Sequence, residues 1–214
     1  LGTNSFQPVT YIWEDGRTYS THLFPEALSS WIEPSEVLVL LTKEAKAHDN
    51  WTALQEKLGE KAHPIDIPSG RSEEELWEMF DTLTDKLPKD QDIILDVTHG
   101  FRSLPILALL AATYLRIAGA ICLKRVLYGA FEAPDEQGCR PVFDLTPFLS
   151  LLDWTTATNQ FIKTGDARDI AKLLSETQSS LHRSEAGQIA KKPNSSDLPT
   201  RLKSVAGQME KVSQ

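Results

Sequence analysis

Cysteine is nearly missing from this chain: Cys122 and Cys139 are the only two in 214 residues. They show no metal-ligand spacing, and so few thiols argue against a disulfide-built secreted scaffold and fit a reducing cytoplasm. No apolar run approaches the roughly 20 residues that a membrane-spanning helix needs, and no secretory signal is visible. Positive charge is the scarcer sign: 22 Lys and Arg stand against 30 Asp and Glu, a net charge of −8. That balance argues against broad, sequence-independent duplex binding, which needs a basic surface. It leaves room for a small anion in a local positive pocket. Also missing are a Gly-x-Ser-x-Gly elbow, a Walker loop, a Gly-x-Gly-x-x-Gly after a strand, any internal repeat and any low-complexity tract. What remains is ordinary globular composition, in a chain long enough for one solid domain and an appendage.

One stretch is chemically pointed: Ile93-Ile94-Leu95-Asp96-Val97-Thr98-His99-Gly100-Phe101-Arg102-Ser103-Leu104-Pro105. An apolar run stops at polar residues and a glycine, and a long apolar helix pattern follows. Ile93 to Val97 reads as a central parallel strand covered on both faces. The helix is expected from near Phe101 to about Ile117, with Pro105 in its first turn. Thr98, His99, Gly100 and Arg102 then lie at the carboxyl end of a strand, where open α/β sheets bind ligands. The helix N-terminus favours an anion such as phosphate. Arg102 can add a bidentate phosphate contact, and Thr98 and Ser103 can donate hydroxyls. The same residues also read as a capped turn and nothing more, with Asp96 and Thr98 capping and His99 hydrogen-bonded within the fold.

Around this turn the pattern is alternating. Val9 to Trp13 and Thr18 to Leu23 flank Glu14-Asp15-Gly16-Arg17, a hairpin signal. Pro25 to Ile32 reads as a helix, Glu36 to Thr42 as a buried strand, and Lys43 to Leu58 as one helix ended near Gly59. Ile65 to Ile67 is a brief strand. Ser72 and Glu75 form a capping box, ahead of a helix burying Leu76, Trp77, Phe80, Leu83 and Leu87. Strands follow from about Leu123 to Phe131 and from Pro141 to Leu145. The alternation predicts an α/β fold, a Rossmann-like mostly parallel sheet with helices on both faces. From Thr146, an N-cap before Pro147, the chain is helix and linker. Arg183 to Ser196 reads as a flexible linker, and Leu198, Leu202, Val205, Met209 and Val212 form a helical stripe suited to a partner. The expected domains are 1–145 and 146–214. A sheet of this kind also wants an apolar strand directly before Gly2-Thr3-Asn4, which predicts that the natural amino terminus lies outside this chain.

Asp96-Val97-Thr98-His99-Gly100-Phe101-Arg102-Ser103 resembles the signature of the CRISPR-associated DxTHG proteins, which carry a CRISPR-associated Rossmann fold (CARF) domain. Leu1-Gly2-Thr3-Asn4 resembles the end of that family's first strand and its first ligand loop. Val126-Leu127-Tyr128-Gly129-Ala130-Phe131-Glu132-Ala133 resembles its late strand. The resemblance implies a dimeric, nucleotide-binding sensor of cyclic oligoadenylate, the second messenger of type III CRISPR antiviral defence. It further implies a ligand site of Gly2, Thr3, Asn4, Thr98, His99, Gly100, Phe101, Arg102 and Ser103. Arg102 and backbone amides would hold phosphates there, and Asn4 and Thr98 would read ribose or adenine. An even ring, the tetra-adenylate, suits a two-fold site. No cofactor and no metal are expected, since no second histidine lies near His99 in sequence and His48, His63 and His182 are scattered.

Relatives of this kind switch on a fused HEPN ribonuclease, and this implies allosteric control of a metal-independent endoribonuclease. The expected partners are therefore the messenger, a second copy of the chain and, only through the effector, single-stranded RNA; no membrane partner is expected. Arg17 and His22 have the HEPN spacing but fall in a hairpin strand, whereas that motif belongs on a helix. The nuclease is accordingly expected beyond Gln214, and no catalytic residue is assigned here. An alternative is a ring nuclease that slowly cleaves its bound messenger, with Arg102 and His99 as suspects. A third, a transcription regulator, is weakly supported, because Leu198 to Gln214 carries only Arg201, Lys203 and Lys211 as basic residues.

Overall fold

Asp15 and Gly16 reverse the chain for the first time. Gly16 adopts φ +90°, the left-handed region that favours glycine, and the Asp15 carboxylate accepts from the Arg17 amide at 3.0 Å. The turn joins β1 (Val9–Ile12) to β2 (Thr18–Thr21) in an antiparallel hairpin with Val9 opposite Thr21. Arg17 and His22 therefore flank a strand, as expected. The computed structural model describes residues 1–4, 7–99, 104–175 and 177.

Helix α1 (Phe24–Ile32) carries Pro25 in its first turn and ends at Glu33 in a left-handed conformation. Strand β3 (Val37–Leu41) follows. The single helix expected from Lys43 to Leu58 is two: α2 (Lys43–Lys46) and α3 (Asp49–Leu58). The break comes at His48, whose Nδ1 accepts from the Asn50 amide and so caps a fresh N-terminus. Strand β4 (Ala62–Asp66) begins earlier than Ile65. Before α4 (Glu73–Lys86), the Ser72 hydroxyl accepts from the Glu75 amide, and Glu75 reaches back to the Arg71 amide. This is the capping box shifted by one residue on its return arm. Then come β5 (Asp92–Asp96), α5 (Leu104–Ile117), β6 (Cys122–Gly129), β7 (Arg140–Asp144) and α6 (Thr146–Thr164).

The strands form a five-stranded sheet, β2-β1-β7-β6-β5, and a two-stranded sheet, β3-β4. The pairs β1–β7, β5–β6 and β3–β4 are parallel, while β1–β2 and β6–β7 are antiparallel. The fold is thus the expected Rossmann-like, mostly parallel α/β arrangement flanked by helices. One packing cluster joins β3 to α3 through Val39, Leu41, Trp51 and Leu54; another joins β4 to α4 and α5 through Ile65, Met79 and Leu104.

Two further expectations are corrected. Trp77 is 61% exposed; α4 buries Met79 alongside the expected Leu83, and Trp77 lies edge-on to Phe80 at 6.1 Å. Strand β5 does not occupy a central position: among the described residues it pairs with β6 alone and ends the sheet. The chain forms two compact units, Leu1–Ser150 and Leu151–Gln214. The described part of the second is the remainder of α6 and helical residues 168–175. The linker from Arg183 and the stripe from Leu198 lie outside the described residues. No helix of the described residues is long and apolar enough to cross a membrane.

Candidate functional site at the carboxyl end of β5

Strand β5 ends at Asp96, whose carboxylate folds back to accept from the Thr98 amide at 2.8 Å. This is an Asx turn, the local structure that aspartate favours. The Thr98 hydroxyl oxygen accepts from the Gly129 amide at 2.8 Å and so ties the turn to the end of β6. His99 Nε2 accepts from the Phe24 amide at 3.2 Å. Leu23, at the N-cap of α1, offers no side-chain cap. His99 supplies one from 75 residues away, satisfying an amide that a helix start leaves open. Accepting at Nε2 puts the imidazole proton on Nδ1.

Burial pushes His99 down to about 4, helped by the Leu1 ammonium and by the neighbouring His22. The ring is therefore neutral near pH 7, and its Nε2 lone pair is engaged. Burial also pushes Asp96 up from the usual carboxylate value, against the Thr98 hydrogen bonds and the Leu1 ammonium. Beside it lies Tyr11, fully buried, with a hydroxyl that has no hydrogen-bond partner among the described residues. Burial, and next the Asp96 charge, push that phenol up to about 12.

The second wall is the amino-terminal loop. Asn50, only 6% exposed, donates from Nδ2 to the carbonyls of Gly2 and Asn4, both at 2.9 Å. The Leu1 ammonium donates to the Leu40 carbonyl at 2.9 Å. Leu1, Asp96 and His99 line one end of a 360 Å³ cavity between β3 and β5. The fold thus brings the Gly2–Asn4 loop and the Thr98 turn to the same end of the sheets. Thr3 and Asn4 are exposed, and Thr98 and His99 half-buried. Gly100, Phe101, Arg102 and Ser103 lie outside the described residues. Among the described residues, no group of three or more His, Cys, Asp or Glu is close enough to hold a metal ion.

Three contributors escaped the sequence reading: Asn50, His22 and the Phe24 amide. None carries a local signal, because each acts on a residue distant in sequence. Gly129 did stand in a quoted motif, and its reason is steric. A Cβ there would meet Phe24 ring carbons at 2.7 and 2.9 Å and Tyr11 at 3.0 Å.

Residues 1–132 match the family model described as the CARF domain of the CRISPR system endoribonuclease Csx1. The chain belongs to this CARF family. It is a CARF domain of a CRISPR-associated protein, with the DxTHG turn at the carboxyl end of β5. Residues 150–212 match a second model, the second domain of CRISPR-associated protein MJ1674. The CRISPR-associated protein MJ1674 of Methanocaldococcus jannaschii is 32% identical over 111 residues, which is 50% of this chain and 18% of that relative. The match therefore takes in less than a fifth of the relative's length.

Proposed function

We propose that the chain is the sensor part of a type III CRISPR effector. It would bind cyclic oligoadenylate, the tetra-adenylate in particular, at Gly2, Thr3, Asn4 and the Thr98–Ser103 turn, and pass the signal to a HEPN ribonuclease outside this chain. The observation that carries this reading is that Leu1, which leads into the Gly2–Asn4 loop, lines one cavity with Asp96 and His99 at the carboxyl ends of β3 and β5 in a CARF-family chain. That is the edge where open α/β sheets hold nucleotides. The backbone amides of such loops and the N-terminus of α5 favour phosphate, and Arg102 adds the paired cation.

Dimerisation has its own support. Helix α5 exposes Ile106, Leu110, Tyr114 and Ile117, and α4 exposes Trp77. The four α5 positions recur at spacings of four, four and three, which lays them along one stripe of the helix. A stripe of this kind suits a two-fold contact that presents each half of an even ring with the same residues. The 146–214 segment would then move relative to its partner copy on binding, as the output of the sensor.

Ring cleavage is the second reading. It would need a base for the attacking 2′-hydroxyl or a cation for the phosphate. His99 is a poor base here, since its Nε2 already accepts from Phe24. The burden then falls on Arg102.

Calorimetric titration with cyclic tri-, tetra- and hexa-adenylate, against linear oligoadenylate, tests the reading. The expected result is tight binding of one ring per two chains, lost in Arg102→Ala. A folded, dimeric chain that binds no ring overturns it. Chromatography of the bound ligand over hours distinguishes sensing, with an intact ring, from cleavage.

A further inference from the structure

Three polar side chains are buried among the described residues: Thr21, Thr42 and Asn50. Burying such a group costs free energy unless it is hydrogen-bonded. The two threonines find their partners close by. Thr21 accepts from the Leu23 amide and donates to the Glu26 carboxylate, and Thr42 accepts from the Ala45 amide to cap α2. Asn50 reaches across the fold instead. Its Nδ2 protons go to the carbonyls of Gly2 and Asn4, 48 and 46 residues away. Two carbonyl acceptors require the NH2 end of the side chain at that place, so the amide has one orientation.

Helix α3 holds this amide firmly. The next residue, Trp51, packs with Leu54 against Val39 and Leu41 of β3. The His48 cap that starts α3 bonds the Asn50 amide itself, which fixes the residue in the first turn of the helix. The loop has little support of its own. Residues 1–4 form no helix or strand. Apart from the Leu1 ammonium on Leu40, the hydrogen bonds that tie them to the described residues are the two from Asn50.

The direction of those bonds matters. In a trans peptide the C=O and the following N–H point to opposite sides of the chain. With the Gly2 carbonyl drawn onto Asn50, the Thr3 N–H is turned away from that side chain. Thr3 is exposed, and its amide makes no hydrogen bond among the described residues. An open backbone donor on such a loop is a group that an anionic phosphodiester takes up.

We propose that Asn50 is a positioning residue of the ligand site. It draws the Gly2 and Asn4 carbonyls inward and so presents the Thr3 amide to a phosphate of the bound ring. This role rests on the cyclic oligoadenylate reading above. Asn50 does not touch the ligand; it acts through the loop.

Calorimetric titration of the 214-residue chain and of Asn50→Asp with cyclic tetra-adenylate tests this. The introduced carboxylate has the shape of the amide but no proton to donate, so both carbonyls are released. Kd is expected to rise about tenfold to a hundredfold, the worth of a hydrogen bond to a charged group, in a chain that urea denaturation still shows to be folded. Acid supplies a readout that a packing role does not move. Protonation returns one O–H donor, so the gap in Kd to the unsubstituted chain should narrow from about pH 7.5 to about pH 5, burial having raised the carboxyl. His48, Asp49 and the Leu1 ammonium are common to both forms and drop out of that comparison. Asn50→Leu, with neither charge nor donor, should bind weakly at both pH values, which separates the lost donor from the added negative charge. Tight binding by folded Asn50→Leu overturns the role and leaves the function standing. So does a gap in Asn50→Asp that pH leaves unchanged. No binding by the unsubstituted chain overturns the function and the role together. Should neither variant fold, Asn50 belongs to the core and the role is overturned.

Discussion

β5 and β6 are neighbours in one sheet, both rich in branched apolar residues, yet they are buried to different degrees. In β6, Val126 and Leu127 have 0% exposure. In β5, nothing is better than half-buried. The helix above them is not the difference: Ala112 of α5 packs in one cluster with both Ile93 of β5 and Leu123 of β6. The difference is lateral. β6 lies between β5 and β7, whereas β5 has β6 on one side and the cavity on the other. Burial of a strand in a parallel sheet depends on its neighbours in the sheet as much as on the helices that cover it.

The sharpest way to break that comparison is a matched pair of truncations. Leu127→Ala is expected to lower unfolding stability by about 3–4 kcal/mol, the range for a fully buried leucine. Ile94→Ala, at a side chain that still meets the cavity, should lower it by about 1 kcal/mol because less area leaves water. Equal losses in urea denaturation would remove the distinction between the strands. A smaller effect tests how tightly the end of β6 is held. Gly129→Ala forces a methyl against the Phe24 ring and should destabilise by about 2–3 kcal/mol. A neutral result would mean that Phe24 yields readily.

A pH-dependent effect concerns the turn that ends β5. His99 titrates near 4 in the folded chain, below its ordinary 6.5. Between those values the unfolded chain binds the extra proton, so stability falls as pH drops from 6.5 to 4 and levels off below. The loss should be on the order of 1–2 kcal/mol, less than the whole displacement because the half-buried ring meets solvent in the cavity. His99→Gln keeps an acceptor for the Phe24 amide and does not titrate, so its melting temperature should be flatter across that window. Asp96 acts with the opposite sign. Its raised value lends stability in acid that is lost as pH climbs through its folded pKa, and this contribution should persist in the variant. An unchanged profile in His99→Gln would mean that the ring titrates normally.

Much of the fold was legible locally. The Asp15-Gly16 hairpin, Pro25 in the first turn of α1, the Ser72 cap and the alternation of strands and helices all rest on contacts within a few residues. The split of the Lys43–Leu58 helix had a local signal too, in His48-Asp49-Asn50, but helix propensity outweighed it. Trp77 misled because its helical spacing was compatible with burial, while Met79 and Leu83 took the packed seam of α4. At the candidate site, the Thr98-His99 turn was visible as a polar stop after an apolar run. Its cross-links were not. Thr98 to Gly129, His99 to Phe24 and Asn50 to Gly2 and Asn4 all join residues brought together only by folding.

By itself the sequence determined the α/β class, the place of the turn and membership of a CARF-like lineage, because periodicity, caps and a short motif are local properties of a chain. The tertiary structure decided which strand stands beside which, and therefore that β5 borders a cavity and that His99 is a neutral cap on α1. Those outcomes depend on burial and on hydrogen bonds across the sheet, which no stretch of residues carries alone.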